Sequence, residues 1–390
     1  MKISRLLHDK LLSTASAFPS LVLTGPRRSG KTFLLRQTFP DAEWVLLEDP
    51  AVLARARADP HAFLAGLRAP VILDEIQNFP ELFAYVRARI DRAPDARGQY
   101  LLTGSQEFAL MRGVSESMAG RAAIQQLLPF GVEESAEVTL LSGGFPEALA
   151  AGPERDTWFS SYVQTFLERD VRKALDVSDL TAFRRFMVMV ASRTGQLWNR
   201  SDIAAPLAVS IPTINRWIAV LELTGQVVLV PPWFDNLGKR MVKSPRLYMT
   251  DTGLACHLLG IRTAEDLERS PFLGALFETF VASELVKHQI HHGRRRDLWG
   301  FRDQRGLEVD FLVPGPSARP ILVEVKSTHT PMPRDAANIR ALRTALGPGD
   351  GDDLVVHRTL NGGPGCGALA PGVKGVSVSE LLAELGARDL

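Results

Sequence analysis

The chain has 390 residues, 45% of them hydrophobic and 23% charged, enough for buried cores and too many for one ordinary domain, so two or three domains are expected. Its 45 basic and 44 acidic side chains leave a net charge of +1, which excludes steering of the whole molecule onto nucleic acid or membrane and leaves only local patches for that purpose. Cys256 and Cys366 build neither a disulfide framework nor a four-thiolate zinc site, and no apolar stretch reaches bilayer length. Met1-Lys2-Ile3-Ser4-Arg5 leads into no signal-like run, so a cytoplasmic protein without a membrane span is expected.

In chain order, residues 21–24, 44–47, 71–73 and 100–103 are short continuous apolar runs, read as buried strands. Amphipathic stretches at 32–38 and 81–92 lie between them, and 122–130 is a fifth strand closed by Pro129. Continuous rather than alternating strands imply a parallel sheet covered on both faces, hence an α/β domain. Residues 157–223 read as helical, with long stretches at 158–174 and 182–193. Strands follow at 227–230 and 246–249, with a turn at 235–238. Beyond Pro271 come a helix over 274–288 and strands at 297–302, 307–313 and 321–326. The Gly- and Pro-rich tail after Gly347 is expected to form loops and a last helix over 379–385.

Gly25-Pro26-Arg27-Arg28-Ser29-Gly30-Lys31-Thr32 fits G-x-x-x-x-G-K-[ST] without mismatch, between a strand and a helix. The glycines let backbone N–H groups face a polyphosphate, Lys31 reaches the β and γ phosphates, and Thr32 ligates magnesium. Val71-Ile72-Leu73-Asp74-Glu75 ends a strand in two acids, so Asp74 is the metal-side residue and Glu75 the general base. Leu101-Leu102-Thr103-Gly104-Ser105 ends another strand, and Ser105 rather than Thr103 is chosen to read the γ-phosphate. Arg121, after Gly120, is either a finger on a neighbouring subunit's nucleotide or a solvated surface arginine. The finger would require a homo-oligomer.

The order of these stretches resembles an AAA-type ATPase, and more narrowly the prokaryotic AAA-like ATPases that carry a C-terminal domain of unknown function. Family-like stretches continue in Ser142-Gly143-Gly144-Phe145-Pro146, Glu168-Arg169-Asp170-Val171 and Arg246-Leu247-Tyr248-Met249-Thr250-Asp251-Thr252-Gly253. Two more are Phe277-Glu278-Thr279-Phe280-Val281 and Glu308-Val309-Asp310-Phe311. The resemblance implies binding and hydrolysis of ATP with Mg2+, and no particular biological role.

In the middle of the chain a helix starts at Ser201, its expected N-cap, and a turn over 209–213 leads to a second helix over 213–223. With the strand pair after Gly225 this is the rhythm of a winged helix-turn-helix. The would-be recognition face offers Thr213, Asn215 and Arg216, and Lys239, Arg240 and Lys243 stand on the wing. That is a thin set for DNA, and winged helices also serve as protein contacts, so both partners stay open. Trp198, Trp217 and Trp233 are expected to fill cores rather than stack on bases.

Near the C-terminus, Glu324 and Lys326 share one face of the alternating run Ile321-Leu322-Val323-Glu324-Val325-Lys326. If Val313 pairs with Ile321, an antiparallel hairpin sets Asp310 opposite Glu324, roughly 5 Å apart at Cβ and able to share a divalent cation. The pattern resembles the PD-(D/E)XK nuclease superfamily, although Val309 stands where a proline is often found. That resemblance implies a role for Glu278 as an additional acid. Lys287, Arg294, Arg295, Arg296, Arg302 and Arg305 form a basic run suited to a phosphate backbone. His288, His291 and His292 read as part of a solvated patch rather than a zinc site, and Cys256 as a buried small hydrophobe.

The expected organisation is therefore an ATPase domain (1–135), a helical region with a winged helix (136–265) and a nuclease-like α/β domain (266–390). The function expected is ATP hydrolysis by a protein that acts on or with DNA. The rival is a nucleotide-dependent switch whose C-terminal domain binds a protein partner without cutting DNA.

Overall fold

The computed structural model describes residues 4–104, 118–172, 180–233, 244–316, 319–359 and 363–388. The chain divides into two compact units: Met1–Phe130 with Leu223–Gly225 and Ile290–Arg294, and Gly131–Glu222 with Gln226–Gln289 and Arg295–Leu390.

The first unit holds five parallel strands, β1 (Ser20–Thr24), β2 (Glu43–Leu46), β3 (Val71–Asp74), β4 (Tyr100–Thr103) and β5 (Ala122–Gln126), in the order β2-β3-β4-β1-β5. Alternate residues feed opposite faces: Val22, Leu73 and Leu102 join one cluster, and Leu21, Leu23, Ile72 and Leu101 join another. Because both faces are covered, every residue of β1, β3 and β4 is buried, as a continuous apolar run requires. Helix Leu7–Ala17 was not legible in the pattern, yet it buries Leu7, Leu11, Thr14 and Ala15 at helical spacing. β5 stops at Gln126, short of the expected Phe130.

In the second unit, helices Arg155–Phe166 and Leu180–Ser192 and the pair Ser201–Leu207 and Ile211–Leu223 surround one apolar cluster. The pair meets at 107°, and Trp217 packs against Phe183 and Phe186. Ser201 is not the N-cap expected of it. It begins the helix itself, and its N–H donates to Asn199 Oδ1 at 3.1 Å. Strands β6 (Gln196–Leu197), β7 (Val227–Val230) and β8 (Arg246–Met249) form an antiparallel sheet in the order β6-β8-β7. The turn expected at 235–238 lies outside the described residues, as do Lys239, Arg240 and Lys243.

Two of the family-like stretches turn out to be one structural unit. Asp251 is buried, accepts from Gly144 N at 2.7 Å, and caps helix Thr252–Leu258 through Leu254 N at 2.9 Å. A Cβ on Gly143 would lie 2.2 Å from Asp251 Oδ1, so the close approach needs glycine there.

The remaining sheet has six strands, β9 (Trp299–Arg302), β10 (Glu308–Val313), β11 (Ile321–Lys326), β12 (Asp353–His357), β13 (Gly367–Ala370) and β14 (Val373–Val376), ordered β13-β14-β12-β11-β10-β9. The tail is thus not a set of loops. Asp353-Leu354-Val355-Val356-His357 is wholly buried and pairs in parallel with β11, and β13 and β14 extend the sheet. Its apolar run outweighs the Gly- and Pro-rich surroundings that suggested loops. The last helix is Val378–Ala387. Among the described residues, no single helix is long and apolar enough to cross a membrane.

Candidate functional site

Residues 25–30 turn from β1 into helix Lys31–Thr38. Gly25 has φ +143°, and a Cβ there would lie 2.0 Å from the Leu127 carbonyl oxygen, so only glycine allows the loop to leave the sheet at this point. Arg28 and Gly30 take the left-handed conformation at φ 66° and 94°, which curls the loop ahead of the helix N-terminus. Lys31 Nζ donates to the Gly25 and Pro26 carbonyls, each at 2.9 Å, lying across the concavity that its own backbone makes. Arg5, unremarkable in the sequence, is buried and reaches the Ser29 carbonyl at 3.4 Å.

Thr32 Oγ1 lies 3.0 Å from each Asp74 carboxylate oxygen, so the helix start and the end of β3 meet at one point. Trp44 Nε1 donates to Asp74 Oδ2 at 3.2 Å, and the Thr103 hydroxyl donates to Asp74 Oδ1. Thr103 Oγ1 also accepts the Glu75 N–H at 3.2 Å, so one hydroxyl ties the two acids together. Glu75 stands at φ 58°, a left-handed position that costs a non-glycine residue about 1 kcal/mol and is held because the end of β3 is otherwise determined. Its carboxylate accepts from Gln77.

Ser105 lies outside the described residues, and the described hydroxyl beside the acids is that of Thr103. Arg121 precedes β5 and Gly25 follows β1. The parallel register Ser20↔Ala122 therefore puts Arg121 at the other end of the sheet, roughly 20 Å from Gly25 along the strand direction. Its guanidinium grips Asp91 with two bonds, 2.5 and 3.1 Å, in an exposed surface pair. The pair lies away from the phosphate loop of the same chain, and a finger on a neighbouring subunit's nucleotide stays the other reading.

The loop's donor set fits a magnesium-bound nucleoside triphosphate: N–H groups at a helix start, an ammonium, and a threonine–aspartate pair. Ser29 Oγ is buried and makes no hydrogen bond among the described residues, a polar group suited to a phosphate or water.

In the second unit, Val313 pairs with Ile321, Leu312 with Leu322 and Phe311 with Val323. One further step of that register faces Asp310 with Glu324. Asp310 Oδ2 accepts from Val325 N at 2.8 Å, and Lys326 Nζ donates to Glu324 Oε1 at 2.7 Å. Glu324 Oε2 is buried and has no hydrogen-bond partner among the described residues. Burial, reinforced by the neighbouring Asp310 charge, pushes the Glu324 carboxyl up to about 7. Burial opposes the Lys326 ammonium, but its bond to Glu324 prevails and raises its pKa.

A residue that sequence reasoning assigned no role enters this cluster. Arg246, on β8, donates to Glu278 Oε1 at 2.9 Å, lies 3.5 Å from Asp310 Oδ1, and pairs with Glu308. Glu278 also accepts from the Tyr248 hydroxyl at 2.6 Å, so its Oε1 already serves two donors. Burial first, then the Asp310 charge, lifts the Glu278 carboxyl to about 8 against the pull of Arg246. Glu278, Asp310, Glu324 and Lys326 thus lie in one cluster, with a guanidinium among them. The only available signal for Arg246 was its place in a family-like stretch.

The surrounding basic run is thinner than expected. Lys287 is buried and bonded to Glu284 at 2.8 Å, while Arg295, Arg296, Arg302 and Arg305 stay exposed. His288 and His291 are likewise buried rather than solvated: His288 Nδ1 meets Glu133 at 2.8 Å, and His291 Nε2 accepts from Leu128 N. Asn215 and Arg216 are exposed on helix Ile211–Leu223, and Trp217 is in the core. Cys256 is buried, and that burial raises its thiol to about 12.

The model of an AAA domain matches residues 17–136, and two domains of unknown function, DUF8612 and DUF4143, match residues 133–265 and 273–364. Uncharacterised proteins of Mycobacterium bovis and Mycobacterium tuberculosis are each 36% identical over 335 residues, covering 84% of this chain and 74% of theirs. Among solved structures, a Walker-type ATPase of Pyrococcus abyssi aligns at TM-score 0.45 and 16% identity, over 65% of this chain and 94% of that one. A RuvB variant of Thermotoga maritima aligns at TM-score 0.29 and 15% identity, over 59% and 90%.

Proposed function

Because the chain belongs to the AAA-type P-loop ATPases with a C-terminal DUF4143 domain, we propose that it hydrolyses ATP with magnesium and acts on DNA through a C-terminal phosphodiester site. The observation that carries the ATPase half is the meeting of Thr32, Asp74 and Thr103, with Glu75 tied to the same hydroxyl. Bound Mg·ATP supplies the scissile anhydride and the neutralising charge. Lys31 and the loop N–H groups hold the phosphates, Thr32 and Asp74 hold the ion, and Glu75 takes the proton of the attacking water. For the DNA half, Asp310 and Glu324 hold a divalent ion, and Lys326 steadies charge on the phosphate. The exposed Asn215 and Arg216, read as the recognition face of a winged helix, contact the duplex.

One observation favours the second reading, a nucleotide switch whose C-terminal unit binds a protein without cutting DNA: Arg246 already neutralises part of the acid cluster. The test is ATP turnover in magnesium by the parent and by Glu75→Gln, each with and without DNA, followed by a cleavage assay with Asp310→Asn. Turnover lost in Glu75→Gln, raised by DNA, with cleavage lost in Asp310→Asn, is the expected result. Turnover indifferent to DNA, with no cleavage by the parent, would replace this reading with the switch.

A further inference from the structure

The four carboxylates of Glu278, Glu308, Asp310 and Glu324 face two cations, Arg246 and Lys326. With all six groups ionised this would leave two negative charges, the complement of one divalent ion. Buried like charges are held by pairing or by protonation, and here the guanidinium supplies the pairing.

Arg246 is not placed to come and go. It lies on the middle strand of its sheet, paired with Leu197 on one side and Val230 on the other, and its side chain is 8% exposed. Its Nη1 faces Glu278 and Asp310 while Nη2 faces Glu308, a span that suits a planar fork and not a point charge. The Tyr248 hydroxyl fixes Glu278 from the other side. What remains open is the orphaned Glu324 Oε2 beside Asp310.

We infer that Arg246 is the resident cation of this cluster, held in place of a second metal ion, so that the C-terminal site takes a single divalent cation between Asp310 and Glu324. This rests on the divalent-ion reading of Asp310 and Glu324 and adds its stoichiometry. Glu278 and Glu308 then position the arginine and are not metal ligands, which revises the acid role expected for Glu278.

The experiment counts Mn2+ on the full chain without nucleotide, in an Asp74→Asn background so that the phosphate-loop ion is not scored. Calorimetry measures stoichiometry, and electron paramagnetic resonance tells isolated ions from spin-coupled pairs. The expected result is one uncoupled Mn2+ per chain, lost in Glu324→Gln, and a second, coupled ion in Arg246→Met. Two coupled ions with Arg246 intact, or one ion of unchanged affinity in Arg246→Met, would overturn the inference alone. Absence of any ion would overturn it together with the reading on which it rests. Should Arg246→Met fail to fold, Arg246→Gln, which keeps a polar side chain but not the charge, replaces it with the same two outcomes.

Discussion

The acid cluster makes the metal-free protein respond to pH in a direction opposite to that of most proteins. Glu278 and Glu324 have ordinary carboxyl values of 4.5 and stand at about 8 and about 7 in the fold, chiefly through burial. Below pH 4.5 the folded and unfolded chains both hold these protons, and the groups are neutral to stability. Between there and pH 7 to 8 the folded state keeps protons that the unfolded state has lost, so stability falls as pH rises. At 1.36 kcal/mol per unit, Glu324 alone accounts for about 3 kcal/mol. Both carboxyls respond to the same Asp310 charge, so their contributions are not added. For a unit of this size, 3 kcal/mol corresponds to a drop of roughly 6–12 °C in melting temperature. The assay is thermal unfolding followed by circular dichroism in EDTA from pH 5 to 8, with the double variant Glu278→Gln/Glu324→Gln expected to make the profile shallower. Carboxylates with lowered values, such as Glu380 and Asp156, lose their contribution only below this window. A melting temperature that stays level or rises from pH 5 to 8 would refute the reasoning.

Three other outcomes are expected. Thr103→Ala removes the hydroxyl that binds both acids and should lower turnover at least about tenfold while nucleotide affinity, read by a fluorescent analogue, changes little. Gly25→Ala drives a Cβ into the Leu127 carbonyl, so denaturant unfolding should show a loss of several kcal/mol together with loss of nucleotide binding. Trp217→Ala should cost about 3–5 kcal/mol in the same assay, whereas Arg216→Ala should leave stability within about 0.5 kcal/mol and reduce the salt slope of DNA affinity by about one.

Much of the first unit was legible because its signals are local. A strand buried on both faces must be continuously apolar, and a phosphate loop must carry its glycines and lysine at fixed spacing. The hairpin Glu308–Val313 and Ile321–Lys326 was legible for the same reason, since a short connection sets its register. The tail strand Asp353–His357 escaped because its run of apolar residues is short and sits among glycines and prolines. The histidines misled because His288 and His291 look like a basic surface run until the fold buries them against Glu133 and the Leu128 N–H.

By itself the sequence determined the parallel α/β sheet, the phosphate loop with Asp74 and Glu75, and the hairpin that presents Asp310, Glu324 and Lys326. Only the tertiary structure decided that Thr103 joins the two acids, that Arg121 pairs with Asp91, and that Arg246 enters the carboxylate cluster. The physical reason is range. Periodicity and motif spacing report what a few consecutive residues need from their surroundings. The partner of a buried charge is chosen by which distant strand or helix the packing brings within a few ångströms of it.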